Sequence, residues 1–180
     1  LADGSADMIS MARPFLADAE FVNKAAEGRG AEIAPCIGCN QACLDHTFSG
    51  KISSCLVNPR ACHETELNYP AAAKVKTVAV VGAGPAGLMT ALIADERGHT
   101  VTLFEKDSVL GGQLNMARVI PGKEEFHGLV EWFETMVGQS GISVKLNTKA
   151  TAEALKGFDE VIIATGVVPR DPGIEGQDGA

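Results

Sequence analysis

Positive charge is scarce in this chain. Its 180 residues carry 15 Lys and Arg against 23 Asp and Glu, a formal net charge of −8. A nucleic-acid partner needs a basic face, so DNA and RNA are poor candidates. No apolar run approaches the roughly 18–20 residues of a membrane span, so no membrane association is expected. No basic stretch leads into an apolar core, so no secretory signal is expected either. Internal repeats and low-complexity tracts are lacking. So is the even cysteine count of a secreted disulfide framework, because there are five. Thiols in an acidic, signal-free chain read as metal ligands in a reducing cytoplasm. The 46 % of apolar residues suits a folded core rather than disorder.

What is present is more specific. Cys36, Cys39, Cys43 and Cys55 follow the spacing C-x2-C-x3-C-x11-C. Iron–sulfur clusters are held by cysteine thiolates, commonly four to a cluster. Three ligands on one tight loop can wrap one side of a cubane, with Cys55 closing the cage. Gly38 gives the backbone room to bend near sulfur. The competing readings are a structural zinc site, which prefers separated C-x2-C knuckles or Cys/His mixtures, and unliganded buried thiols. Cys62 falls outside the spacing and is expected to be a small packed side chain.

Residues 77–81 form a short β-rich apolar run, as a buried parallel strand requires. The fingerprint Gly82, Gly84, Gly87 follows it and opens a helix expected over residues 85–97, stopped by Gly98. The first glycine permits the tight turn. The second lets backbone approach a pyrophosphate, and the third lets helix and strand pack closely. The helix N-terminus then faces the phosphates. Residues 100–104 form the second strand, with Glu105 at its tip, placed to accept from a ribose diol and to repel a 2′-phosphate. FAD or NAD therefore fits, and NADP does not. The turn at residues 110–114 and the strand-to-turn stretch at residues 161–166 favour FAD. A helix is expected over residues 124–139, with strands at residues 142–146 and 160–164. Strands alternating with helices predict a parallel sheet covered on both faces.

Residues 6–11 have the composition of a short buried strand, broken at Arg13 and Pro14. A helix is expected over residues 18–27, with Asp18 as N-cap and Gly28 as stop. Arg13 stands just after the expected strand. Its planar fork suits a phosphate of the kind (β/α)8 barrels bind after strands seven and eight, although a solvated or salt-bridged role is the simpler reading of an isolated arginine.

The stretches CIGCNQACLDH, SSCLVNPRACHE, VAVVGAGPAGL and IPGKEEF resemble those of the bacterial NADPH-dependent 2,4-dienoyl-CoA reductases. ADMISMARPFLAD is similar to the end of their Old Yellow Enzyme-type barrel. The resemblance covers essentially the whole chain. It implies an α/β architecture: the last strand and helix of an FMN-binding (β/α)8 barrel (residues 1–30), a [4Fe–4S] segment (31–66), a linker (67–76) and an incomplete Rossmann-like FAD domain (77–180). Most of the barrel and the NADPH domain, which bind unsaturated fatty acyl-CoA and NADPH, would lie elsewhere in the same polypeptide. Leu1 in place of methionine and the loop-like residues 173–180 fit an internal fragment.

The resemblance further implies that Cys36, Cys39, Cys43 and Cys55 hold the cluster and that Ala12 and Arg13 meet the FMN phosphate. FAD is then expected at Gly82, Gly84, Pro85, Ala86, Gly87, Glu105, Lys106, Gly112, Gln113, Ala164 and Gly166. Electrons would pass from NADPH through FAD and the cluster to FMN, reducing conjugated double bonds during β-oxidation. No catalytic acid or base is assigned within this chain. Two alternatives stand beside this reading. One is a related iron–sulfur flavoprotein acting as an enone reductase or amine dehydrogenase. The other is a non-enzymatic, zinc-stabilised nucleotide-binding module.

Overall fold

The computed structural model describes residues 3–168, 170–171 and 173–175. The closing residues 176–180, read above as loop, lie outside that range. Four strands form one parallel sheet in the order β3-β2-β1-β4: β1 (Thr77–Val81), β2 (Thr100–Phe104), β3 (Ser143–Lys145) and β4 (Glu160–Ile163). β1 is central, and Val78, Ala79 and Val80 are buried. This is why residues 77–81 read as a continuous apolar run rather than an alternating one. With its intervening helices the sheet is a Rossmann-like α/β domain, as the sequence predicts.

One face of the sheet presents Val78, Val80, Val101 and Leu103 to Leu88 and Ala91 of a first long helix (Pro85–Glu96) and to Leu129 and Phe133 of a second (Glu125–Gln139). The expected cover on both faces is only partly realised. On the opposite face Phe104 packs edge-on against Phe158 with ring centroids 5.9 Å apart, whereas Val161 and Ile163 of β4 are 40 % and 65 % exposed. β4 is the sheet edge, and no further described strand extends the layer beyond it.

The amino-terminal expectations need more correction. Residues 6–11 form no strand, and Met8 and Ile9 are exposed. The physical reason is pairing: strand composition alone cannot satisfy backbone N–H and C=O groups, and every described strand is already placed in the sheet. Pro14 does not break structure here. It occupies the first turn of a short helix, Arg13–Ala17, where its missing N–H costs nothing. The expected helix over residues 18–27 is shorter, Phe21–Ala26, and Asp18 ends the preceding helix rather than capping this one.

Asp18 instead ties the unit together. Its carboxylate accepts from the Glu20 N–H at 2.9 Å, the Ala34 N–H at 2.9 Å and the Lys24 ammonium at 2.6 Å. Lys24 also donates to the Glu32 carbonyl, which accepts from the Trp132 indole N–H at 2.9 Å. This chain of contacts fastens the two short amino-terminal helices to the second long helix. Asp18→Ala would strand a partly buried ammonium and the buried Ala34 N–H, a loss of about 2 kcal/mol. Urea unfolding should show it as a lower midpoint at unchanged slope.

The connector at residues 67–76 is pinned. The Ala72 N–H donates to the Arg97 carbonyl, and Arg97 Nε donates to the Pro70 carbonyl. At the start of the sheet the Thr77 N–H and hydroxyl both donate to Asp159 at 2.8 Å. These bonds, the backbone one foremost, hold the Asp159 carboxyl below its usual range. A depressed folded-state pKa contributes stability that is complete above the unfolded value of about 3.9 and is lost as pH falls through the folded value. The melting temperature should therefore fall on acidification below about pH 4, and Asp159→Asn should flatten that fall.

Candidate dinucleotide cradle and cysteine recess

The glycine loop between β1 and the first long helix is closed by contacts that only hydrogen at Cα allows. Gly82 has φ +106°, and a Cβ there would run into the Ala164 carbonyl oxygen and lie 3.1 Å from Thr165 Cα. A Cβ on Gly87 would strike the Gly82 carbonyl oxygen. Gly84 differs: its φ is −77°, and a Cβ would meet nothing within 4 Å. So Gly82 and Gly87 are needed for packing, while Gly84 faces open space immediately before Pro85 and Ala86 begin the helix. That space, at the positive end of a 12-residue helix, is where an anion can be received.

Two other segments close around the loop. The Gly111 N–H donates to the Ala83 carbonyl at 2.8 Å, and a Cβ on Gly112 (φ +52°) would sit 2.9 Å from Gly84 Cα. Gln113 donates through its amide to the Val167 carbonyl at 2.9 Å, joining this turn to the stretch after β4. Ala164 continues β4 with an N–H bond to the Val81 carbonyl, and Gly166 turns the chain at φ +73°. The structure thus gathers the glycine fingerprint, Gly112, Gln113, Ala164 and Gly166 at the carboxyl ends of the strands, where open α/β sheets bind ligands.

Glu105 lies at the tip of β2 and is 5 % exposed. Its carboxylate accepts from the Ala83 N–H at 2.7 Å and the Asp107 N–H at 2.9 Å. It therefore braces the glycine loop as well as standing where a ribose diol is expected. A carboxylate has about four lone-pair sites, so two bonds leave capacity. Lys106, beside it, is exposed.

Cys36, Cys39, Cys43 and Cys55 all line one recess with about 280 Å³ of atom-free space, its open mouth included. All four are free thiols and partly buried. The loop bends through Gly38 at φ +64° and Asn40 at φ +60°, and Cys43 precedes a short helix, Leu44–Phe48. The Val57 N–H points at Cys55 Sγ at 3.4 Å. Ile37 and Cys55 pack against the core that the sheet and its two long helices share, so the recess is built onto the dinucleotide domain. Among the described residues no three His, Cys, Asp or Glu side chains are gathered closely enough for a single metal ion. Cys62, expected to be packed, is exposed with φ +63°; it sits outside the recess in a turn where its N–H donates to Glu64.

Arg13 also lines the recess, and its Nη1 donates to Asn40 Oδ1 at 2.5 Å. Ala12 precedes it at the start of the helix. The sequence reading missed Asn40. A non-glycine residue able to take positive φ between two of the cysteines was the available signal. It also missed Ala83, whose N–H and carbonyl join Glu105 and Gly111 to the loop; a backbone role leaves no trace in the sequence.

A glycine loop at a helix N-terminus, braced by a buried glutamate on the neighbouring strand, defines a dinucleotide-binding domain of the flavoprotein oxidoreductase type. The family described as pyridine nucleotide-disulphide oxidoreductase matches residues 76–180, and the chain belongs to it. The chain is 42 % identical to a metal reductase of Desulforamulus reducens over 99 % of its own length and 28 % of that protein. It is 41 % identical to a cinnamate reductase of Clostridium sporogenes over 97 % of its length and 27 % of that protein. It also superposes on the structure of a 2-naphthoyl-CoA reductase in complex with 2-naphthoyl-CoA, with TM-score 0.92 and 40 % identity, over 98 % of this chain and 27 % of that one. The chain therefore spans just over a quarter of each of these relatives. No helix of the described residues is long and apolar enough to cross a membrane.

Proposed function

We propose that this chain is the electron-transfer core of an NADPH-dependent iron–sulfur flavoprotein that reduces activated alkenes, with conjugated acyl-CoA thioesters such as 2,4-dienoyl-CoA as substrates. The observation that carries the reading is the meeting of four cysteines around one recess on the flank of a dinucleotide cradle. Both sites fit the groups proposed for them. The recess offers four thiols and no competing disulfide. The cradle has one glycine open to a pyrophosphate and two closed by packing. When bound, FAD, a [4Fe–4S] cluster and FMN supply hydride acceptance and one-electron relay.

The chain's own residues position these groups. Gly84, Pro85 and Ala86 present the helix end to the FAD pyrophosphate, while Gly82 and Gly87 hold strand and helix close enough to do so. Glu105 and Lys106 meet the adenosine end. Gly112, Gln113, Ala164 and Gly166 close the far side. Cys36, Cys39, Cys43 and Cys55 ligate the cluster. Ala12 and Arg13 reach the FMN phosphate of a barrel whose last segment is residues 1–30. The barrel and an NADPH domain belong to the rest of the polypeptide. A reducing cytoplasm suits the free thiols. An acyl-CoA substrate is supported by the 2-naphthoyl-CoA reductase neighbour and a conjugated one by the cinnamate reductase relative.

Steady-state kinetics of the complete protein decide among substrates. NADPH oxidation should be fastest with 2,4-dienoyl-CoA, slower with free enoates, and absent with secondary amines. Turnover of amines without NADPH would instead make it an amine dehydrogenase.

A further inference from the structure

Arg13 occupies a place that a phosphate role alone does not explain. Among the described residues lining the cysteine recess it is the one that carries a charge; the others are the four cysteines, Asn40 and small or aliphatic side chains. Its guanidinium is held there by the bond from Nη1 to Asn40 Oδ1. Asn40 is itself fixed between Cys39 and Cys43, with φ +60° and its carbonyl accepting from the Asp45 N–H at 3.0 Å. A permanent cation is thus clamped to the loop that carries three of the four thiols, across 27 residues of sequence.

We infer that Arg13 is a positioning residue of the electron relay, setting the charge at the cysteine recess so that the bound cluster accepts an electron more readily. The inference rests on the cluster reading given above. Four thiolates around iron and sulfide make an anionic assembly, and adding one electron from the reduced flavin adds one negative charge with no accompanying proton. Arg13 is exposed, so solvent and salt screen it, but a guanidinium held at the mouth of the recess still favours the more negative state. Net charge and neighbouring hydrogen bonds are among the levers that set such potentials. Arginine holds its charge at every accessible pH, and its planar fork lets one nitrogen bind Asn40 while the others remain free for a second anion.

The test is a redox titration of the complete, anaerobically loaded protein, followed by electron paramagnetic resonance, with iron, sulfide and FMN measured on the same samples. In Arg13→Gln the one-electron equilibrium of the cluster should shift about tenfold toward the oxidised form, a potential lower by about 59 mV. Arg13→Lys, which keeps the charge, should stay within about threefold of the parent. A cluster potential unchanged in Arg13→Gln, whether or not FMN is lost, would overturn the inference and leave Arg13 with a phosphate role only. Equal shifts in the Gln and Lys variants would also overturn it, because charge would then not be the cause. Should Arg13→Gln load no iron, Arg13→Lys decides: a potential near the parent's supports the assignment, and a tenfold drop contradicts it. Parent protein that holds no iron–sulfur cluster would be a failure of the cluster reading itself, recognisable before any variant is made.

Discussion

Gly87→Ala should strongly destabilise the folded dinucleotide domain, while Gly84→Ala three residues earlier should leave its stability intact. The contrast follows from what each added methyl meets. At Gly87 it strikes the carbonyl oxygen of Gly82, and behind that lies backbone carbon at 3.1 Å. Neither atom is the end of a flexible side chain, so relief requires the central strand and the first long helix to separate. Both are packed through Val80, Leu88 and Leu103, each fully buried. Overpacking of cores costs about 1–3 kcal/mol and more where backbone must move. A loss of about 3 kcal/mol or more is expected, which in a chain of this size lowers the melting temperature by roughly 10 °C. At Gly84 the methyl enters open space at an ordinary φ of −77°. There the apo protein should keep its stability or gain a few tenths of a kcal/mol, but its affinity for FAD should fall at least tenfold because the methyl stands where a pyrophosphate must approach. Thermal melts and flavin fluorescence quenching read the two effects separately. Equal melting temperatures for the two variants would contradict the packing role given to Gly87.

Replacing any one of Cys36, Cys39, Cys43 or Cys55 by serine should remove the iron–sulfur cluster, whereas Cys62→Ser should leave it untouched. The four line one recess and Cys62 does not. Serine is nearly isosteric but is a poor soft-metal ligand at neutral pH. Loss of the cluster should carry a folding cost too. The recess segment has little regular structure beyond one five-residue helix, so ligand bonds contribute order that packing does not. Iron content should fall from about four per chain to near zero, with loss of visible absorption. The dinucleotide domain should survive the change, because its sheet and helices close a core of their own through Val78, Val80, Leu88, Leu129 and Phe133. FAD retained without iron is therefore the expected phenotype. Retained iron and sulfide in Cys43→Ser would remove Cys43 from the ligand set.

How far these sites were legible in the sequence depended on how local their causes are. β1 and β2 stand where they were expected: residues 77–81 supply the apolar run that a buried central parallel strand needs, and residues 100–104 place Val101, Leu103 and Phe104 in the interior. The glycine fingerprint was legible for the same reason: strand, turn and helix are adjacent in the chain. The amino-terminal segment was not. Its strand-like residues 6–11 have no strand to pair with, and pairing is a property of neighbours, not of composition. Asp18 was placed correctly near a helix end but at the wrong one, because its true partners, Lys24 and Ala34, reach it only once the chain folds back on itself. Glu105 was recognisable as the acid at the strand tip, yet its bonds to the Ala83 and Asp107 backbone depend on the register of β1 against β2. The Arg13–Asn40 bond spans 27 residues and left no periodic signature at all.

The central claim is that the four gathered thiols hold an iron–sulfur cluster beside a bound FAD. Metal, acid-labile sulfide and flavin analysis of the complete protein, purified without oxygen, tests it most directly. About four iron and four sulfide per chain, with FAD released on denaturation, is the predicted result. Stoichiometric zinc with neither sulfide nor flavin would contradict it.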